Sequence, residues 1–238
     1  MVYITGDIHG DPSYLIYMAS RYGLTKDDII VLLGDVGANY YLNKKDIKTK
    51  KALSEYIEAT ILCIHGNHEA RPSTVEGYKL KEWNGGFVYV QTEYPNLLFA
   101  QDGSIFNLDG LSCLVLGGAY SVDKHHRIEN GYAWFADEQP SEETKNYVAK
   151  QLETADYKVD AVFSHTCPLK YEPIEVFLPG IDQSNVDIST ERWLDDIENK
   201  LNYKAWYCGH WHINKHIDKM HFLFDGLESL NDINNSMP

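Results

Sequence analysis

Three short apolar runs in the first third of the chain constrain its fold more than any other feature. Val2 to Thr5, Ile29 to Leu33 and Thr60 to Ile64 are built largely from Val, Ile and Leu. Runs this short, apolar at successive positions, predict strands buried on both faces. Helical patterns separate them. Asp11-Pro12 has the form of an N-cap followed by Pro at the first helical position, opening a helix through about Arg21. Lys45 to Glu58 places Leu53, Tyr56 and Ile57 on one helical face. Strand, helix and strand at this spacing predict parallel pairing through right-handed crossovers, an α/β arrangement.

The middle of the chain changes character. Gly86 to Gln91, Leu97 to Gln101, Ser104 to Leu108 and Ser112 to Leu116 read as short strands, with turn signals at Asp102-Gly103 and Asp109-Gly110, and predict hairpins. A helix follows, capped by Ser141, with Glu142 and Glu143 in its first turn and Val148 and Leu152 facing inward. Val159 to Ser164 and Ala205 to Cys208 read as further strands. Thr190 to Leu201 reads as a helix with Leu194, Ile197 and Leu201 on one face, and Lys215 to Phe224 as a last hairpin. No repeat or linker interrupts the pattern, so residues 1–230 are expected to form one domain, followed by a frayed polar tail over 231–238.

Composition narrows the function. The 238 residues carry 21 Lys plus Arg against 35 Asp plus Glu, a formal net charge of −14. A field of that sign does not draw in long nucleic acid or anionic lipid, but bound cations would offset part of it. No apolar run approaches the ~20 residues of a membrane helix. No leader pattern is visible at Met1 to Asp7, and Cys63, Cys113, Cys167 and Cys208 form no C-x-x-C pair. Buried reduced thiols in a cytoplasmic protein are the expectation.

Five of the strand readings end in the same kind of residue. They run into Gly6-Asp7-Ile8-His9-Gly10, Gly34-Asp35, Gly66-Asn67-His68-Glu69, Ser164-His165 and Gly209-His210-Trp211-His212. In an α/β sheet the loops after the carboxyl ends of the strands meet along one edge. Two Asp, one Asn and four His supply oxygen and imidazole donors, which suit Mn, Fe, Zn or Ni better than calcium. A carboxylate has two oxygens and can bridge two ions ~3.5–4 Å apart, the geometry of two-metal hydrolases.

The five blocks together, spanning Gly6 to His212, resemble the signature of calcineurin-like metallophosphoesterases. The resemblance implies an α/β fold, α+β by some schemes: a two-sheet β-sandwich flanked by helices, αββα, with two divalent transition-metal ions at one edge, manganese foremost. It implies that Asp7, His9, Asp35 and His212 hold one ion, that Asp35 bridges, and that Asn67, His165 and His210 complete the second site. His68, Asn67 and Asp35 become the catalytic candidates. His68 would stand over the phosphate as a cationic imidazole, stabilising transition-state charge or protonating the leaving oxygen. The implied reaction is hydrolysis of a phosphate ester by a hydroxide bridging the ions.

The second block departs from the Ser/Thr protein phosphatase branch, which continues it as G-D-x-V-D-R-G. Here Ala38 stands in place of the acid and Asn39 in place of the phosphate-clamping Arg. The Gly209-His210-Trp211-His212 ending is closer to the G-H-x-H of phosphodiesterase and nuclease branches. A phosphodiesterase is therefore favoured, with a phosphomonoesterase of the protein phosphatase type as the alternative and a non-catalytic metal-binding scaffold as the remote one. The substrate is expected to be a phosphoester, nucleotides and phosphopeptides included. Gly117 to Arg127 reads as a substrate loop: Lys124 or Arg127 would clamp a phosphate oxygen, and Tyr120 or Trp134 would stack on a base. Arg71 is a second clamp candidate, and His65 an orienter of a metal ligand.

Overall fold

The computed structural model describes residues 1–234 of the chain. Two mixed sheets lie face to face. In chain order the elements are β1 (Val2–Thr5), α1 (Ser13–Tyr22), β2 (Ile29–Leu32), α2 (Lys44–Tyr56), β3 (Thr60–Cys63), β4 (Lys79–Trp83), β5 (Gly86–Val90), β6 (Leu97–Ala100), β7 (Ile105–Leu108), β8 (Leu111–Leu116), α3 (Lys124–Glu129), α4 (Glu142–Thr154), β9 (Ala161–Ser164), α5 (Ser189–Glu198), β10 (Ala205–Cys208), β11 (Lys215–Ile217), β12 (Met220–Phe222) and β13 (Glu228–Ser229), with short 3₁₀ turns between some of them. The first sheet runs β13-β1-β2-β3-β6-β5-β4 and the second β11-β12-β10-β9-β8-β7.

Alternation along the central strands explains the layering. Val31 and Leu33 point into the space between the sheets, where they meet Phe106, Val115, Phe163 and Tyr207. Ile30 and Leu32 point the other way, against Leu15 and Ala19 of α1 and Leu53 of α2. On the far side Leu114, Val162 and Trp206 face Val148 and Leu152 of α4 and Leu194 and Ile197 of α5. Both faces of each central strand are buried, which is why those segments read as unbroken apolar runs. The order helix, sheet, sheet, helix is the expected sandwich.

Strands β1, β2, β3 and β6 are mutually parallel, as are β12, β10, β9 and β8. Each parallel set therefore presents all its carboxyl ends at one edge. Ser141 caps α4 by accepting from the Thr144 amide. Asp11 accepts from the Ser13 amide, and α1 starts just beyond Pro12. All four cysteines are free and buried.

Four expectations are corrected. Tyr56 is 69% exposed: α2 ends there, and the extended backbone of Ile57 turns that residue into the core while Tyr56 faces out. Asp102-Gly103 is not a hairpin turn, because β6 and β7 belong to different sheets and the chain crosses between them there. The Gly117 to Arg127 segment is a loop only as far as Asp123, where α3 begins. Of the tail expected from Asn231, Leu230–Asn234 form a 3₁₀ turn whose Leu230 and Ile233 are buried in the inter-sheet core; residues 235–238 lie outside the described residues. Strand β4 was hidden by its charges. It is an exposed edge strand, KLKEW, joined to β5 through Asn84-Gly85, both at positive φ. Lysines on an edge strand discourage pairing with another chain.

Candidate metal centre

Loops following β1, β2, β3, β9 and β10 converge at one edge of the sandwich, and glycines let them come so close. A Cβ added to Gly34 would lie 2.1 Å from Nδ1 of His165; one on Gly66 would lie 2.0 Å from Oδ1 of Asp35; one on Gly209 would lie 2.2 Å from Oδ1 of Asp7. Each glycine thus makes room for a candidate ligand carried by a different loop. The neighbouring side chains occupy unusual backbone. His9, Asp35, His210 and His212 all have left-handed φ, between 45° and 65°. Such residues cost on the order of 1–3 kcal/mol each and gather at functional sites. The loops are also tied directly: the His9 amide donates to the Asp35 carbonyl, the His68 amide to Asp35 Oδ1, and the His210 amide to both oxygens of Asp7.

The donors fall into two overlapping groups. In the first, Nε2 of His9 and Nε2 of His212 are 2.8 Å apart, and Nε2 of His212 lies 3.4 Å from Asp7 Oδ2. In the second, Nε2 of His165 lies 2.8 Å from Asn67 Oδ1 and 3.6 Å from Asp35 Oδ1, and the His210 ring stands 4.9 Å from that of His165. Ligand atoms of Asp7, Asp35 and His165 lie within 4.8 Å of one another, as do those of Asp7, His9 and His212, and of His9, Asp35 and His68.

The hydrogen-bond chemistry of the second group fits a cation. His165 Nδ1 lies 2.7 Å from the Leu33 carbonyl, which only accepts, so Nδ1 carries the ring proton. In the neutral ring Nε2 is then a bare lone pair. It faces Asn67 Oδ1, which is also an acceptor, since Asn67 Nδ2 donates to Ser121 Oγ and Ser121 Oγ donates to Glu138 Oε2. Two lone pairs 2.8 Å apart beside a buried carboxylate are what neighbouring ligands on one ion present, at metal–ligand distances of ~2.1 Å. Asp7 and Asp35 are both buried, and two carboxylates held this close call for positive charge. Burial would push Asp35 up, but His165, His68, His9 and the His68 amide outweigh it and hold the carboxyl below its usual range. Burial drives His210 well below the ordinary imidazole value, so it offers a neutral ring nitrogen. Hydrogen bonding to Asp7 raises His212. Burial, reinforced by Asp35, lifts Glu69 to about 8.

His68 departs from the expectation. Burial lowers its pKa, Asp35 draws it partly back, and Arg127 lowers it again. Arg127 Nη2 lies 2.8 and 2.9 Å from the two ring nitrogens of His68. A guanidinium only donates, so the ring beside it rests neutral, and Arg127 carries the fixed charge. Asp123 and the Ala133 carbonyl hold Arg127 in place.

The remaining candidates divide. Tyr120 lines the cavity that opens on the centre. Lys124 does not reach it; its ammonium lies over the Trp134 ring, 4.2 Å from the centroid, while the Trp134 indole donates to Glu138. Arg71 is also elsewhere. It donates to Asp102 Oδ2 at 2.7 Å and to the Asp137 carbonyl, tying the crossing between the sheets, and it lines a separate cavity with His65. Neither ring nitrogen of His65 has a hydrogen-bond partner among the described residues, so His65 orients no ligand through a hydrogen bond. Ser121 and Glu138 went unnoticed in the sequence. Ser121 belongs to the Gly117 to Arg127 segment, whereas no local pattern marks Glu138.

The cavity has a volume of about 350 Å³. One end holds His9, Asp35, Asn67, His68, His210 and His212. Much of the remaining lining is apolar, built by Val176, Phe177, Leu178, Ile181, Val186 and Trp211, whose ring stands 5.2 Å from that of His210. Phe177 and Trp211 stack with centroids 5.7 Å apart. Glu172, Asp187 and Glu191 also border it, and no lysine or arginine does among the described residues.

The sequence profile of calcineurin-like phosphoesterases matches residues 1–214. The chain belongs to that family, a superfamily of hydrolases, and members of it generally bind a dinuclear divalent metal site. No curated protein sequence matches it significantly. Among solved structures it is similar to TT1561 of Thermus thermophilus, with 15% identity and a TM-score of 0.52 over 94% of this chain and 87% of that one. It is also similar to a phosphopantetheinyl hydrolase from Mycobacterium tuberculosis, with 13% identity and a TM-score of 0.50 over 100% of this chain and 92% of that one. At these identities the likeness is one of fold. No helix among the described residues is long and apolar enough to cross a membrane.

Proposed function

We propose that the chain is a dinuclear metal-dependent phosphodiesterase acting on small phosphodiesters with an apolar or uncharged leaving group. The observation that carries this reading is the cavity: metal-donor side chains, a large apolar lining, and acids rather than lysines or arginines along its border. A monoester dianion calls for more positive charge than one guanidinium, and a polyanionic chain would be repelled by Asp187, whose hydrogen bonds hold it ionised. A diester carries a single charge and needs, beside the ions, only the guanidinium of Arg127 behind His68.

Asp7, His9, Asp35 and His212 would hold one ion and Asn67, His165 and His210 the other, with Asp35 shared, consistent with its place in two of the donor groups. The pair of ions, manganese foremost, would supply Lewis acidity at the phosphoryl oxygens and an activated water. The chain's own residues do the rest. Leu33 fixes the His165 tautomer, and Glu138 and Ser121 aim the Asn67 oxygen at the centre. Arg127, one layer behind the cavity, sets a fixed charge against His68, and His68 presents a ring N–H to the leaving oxygen. The apolar wall receives the leaving group and keeps water off it.

The protein phosphatase alternative finds less support. Ala38 and Asn39 are fully buried, with Asn39 bonded to Tyr78, so neither position faces a phosphate. Turnover of bis(p-nitrophenyl) phosphate and p-nitrophenyl phosphate by the Mn²⁺-loaded protein tests the reading, with His68→Ala as control. Preference for the diester, lost in the variant, is expected; equal or better turnover of the monoester overturns it.

A further inference from the structure

The β11–β12 hairpin carries two histidines that the metal centre does not use. His216 and His221 are direct cross-strand partners, so their rings stand side by side with centroids 4.3 Å apart. Glu228 reaches both from β13, a strand of the other sheet. Its Oε1 lies 2.6 Å from His216 Nε2 and its Oε2 2.8 Å from His221 Nδ1. One ligand atom from each of the three residues lies within 4.8 Å of the others.

We propose that His216, His221 and Glu228 bind one divalent transition ion of the Zn²⁺ class, separate from the metal centre, clamping the hairpin to β13. Two imidazoles and one carboxylate are the donor set of zinc sites that keep an open position. Calcium and magnesium prefer oxygen alone and are disfavoured by the imidazoles. With both rings neutral the trio carries one negative charge. The hydrogen bonds seen here require each neutral ring to hold its proton on the nitrogen facing the carboxylate; an ion takes that place once each ring moves its proton to its other nitrogen. The donors stand on hydrogen-bonded strands, so binding orders little that is not already ordered. The His216 side chain is 57% exposed, which leaves a path for the ion and room for a water ligand. The consequence is local: β11 begins at Lys215, three residues after His212, so a clamp here steadies the base of the loop that carries His210 and His212.

Equilibrium dialysis of the full chain tests this. Metal-free wild type, His216→Ala and Glu228→Gln are saturated with Zn²⁺, and bound metal is counted; Co²⁺ is then substituted and its visible absorption recorded. Wild type is expected to bind one equivalent more than either variant and to show a cobalt band that both variants lack. The exposed position of His216 and the matched shape of Gln keep both variants folded, which circular dichroism verifies. Equal metal counts in the three proteins overturn the site. A one-equivalent difference on a total other than three leaves this site standing and counts against the dinuclear centre instead.

Discussion

The two histidine clusters are built by opposite means. At the edge of the sandwich, donors from five loops spanning Asp7 to His212 meet because parallel strands end together and glycines let the loops touch. At the hairpin, two rings meet because antiparallel register sets them opposite each other, and a carboxylate arrives from the other sheet. In the first cluster His9, Asp35, His210 and His212 sit in left-handed backbone and Asp7, Asp35, Asn67 and His165 are buried; the second is in ordinary strand and partly exposed. The lesson is that strain and close glycine contact mark the site whose geometry must be held, whereas register alone suffices for a clamp.

That contrast can be broken most sharply at Asp35. Asp35→Asn is expected to lower turnover on the order of 10³-fold and to lose bound metal, while His216→Ala leaves turnover within about twofold. Steady-state kinetics with metal analysis checks both; comparable losses would erase the distinction. Gly34→Ala comes next. The new Cβ would collide with His165, and the φ of +102° disfavours any side chain, so a destabilisation of about 3 kcal/mol or more is expected in urea unfolding. Arg127→Ala should cost about 100-fold in kcat/KM, with Lys restoring only part, because a lysine cannot reproduce the guanidinium fork. Ser121→Ala, which frees Asn67 to flip, should weaken metal binding by about tenfold with little change in unfolding midpoint.

The smallest effect concerns pH. Burial raises Glu191 from 4.5 to about 7. The folded state therefore holds that proton more tightly than the unfolded one, so its contribution is full below about pH 4.5 and is lost as pH rises through 7. Glu191→Gln should flatten that slope and gain on the order of 1 kcal/mol at pH 8, read from denaturant midpoints across pH. An unchanged slope would show that Glu191 ionises freely.

Much of the candidate site was legible because its signals are local. Gly34-Asp35 and Gly66-Asn67-His68 each place a turn residue and a donor on consecutive positions after an apolar run, so the strand end and its chemistry are written within a few residues. The capping of α4 by Ser141 was legible for the same reason. Strand β4 was not, because its charges suit an edge that packs on little. Arg71 and Arg127 both read as phosphate clamps, one just past His68 and the other at the end of the Gly117 to Arg127 loop. Asp102 holds one and His68 holds the other, and neither partner is near in the chain.

From the sequence alone came the α/β pattern of strands and helices, the shared edge and the donors offered there, since apolar periodicity and glycine-flanked donors are dictated by backbone geometry over a few positions, while the sandwich and the sharing of donors between two ions came through the resemblance to a family. Only the tertiary structure decided which arginine faces His68, that Glu138 aims Asn67, that residues 176–188 wall the cavity with apolar side chains, and that Glu228 joins His216 and His221. Those meetings depend on strand register and on how two sheets and their helices pack, and such contacts leave no mark on the residues next to them in the chain.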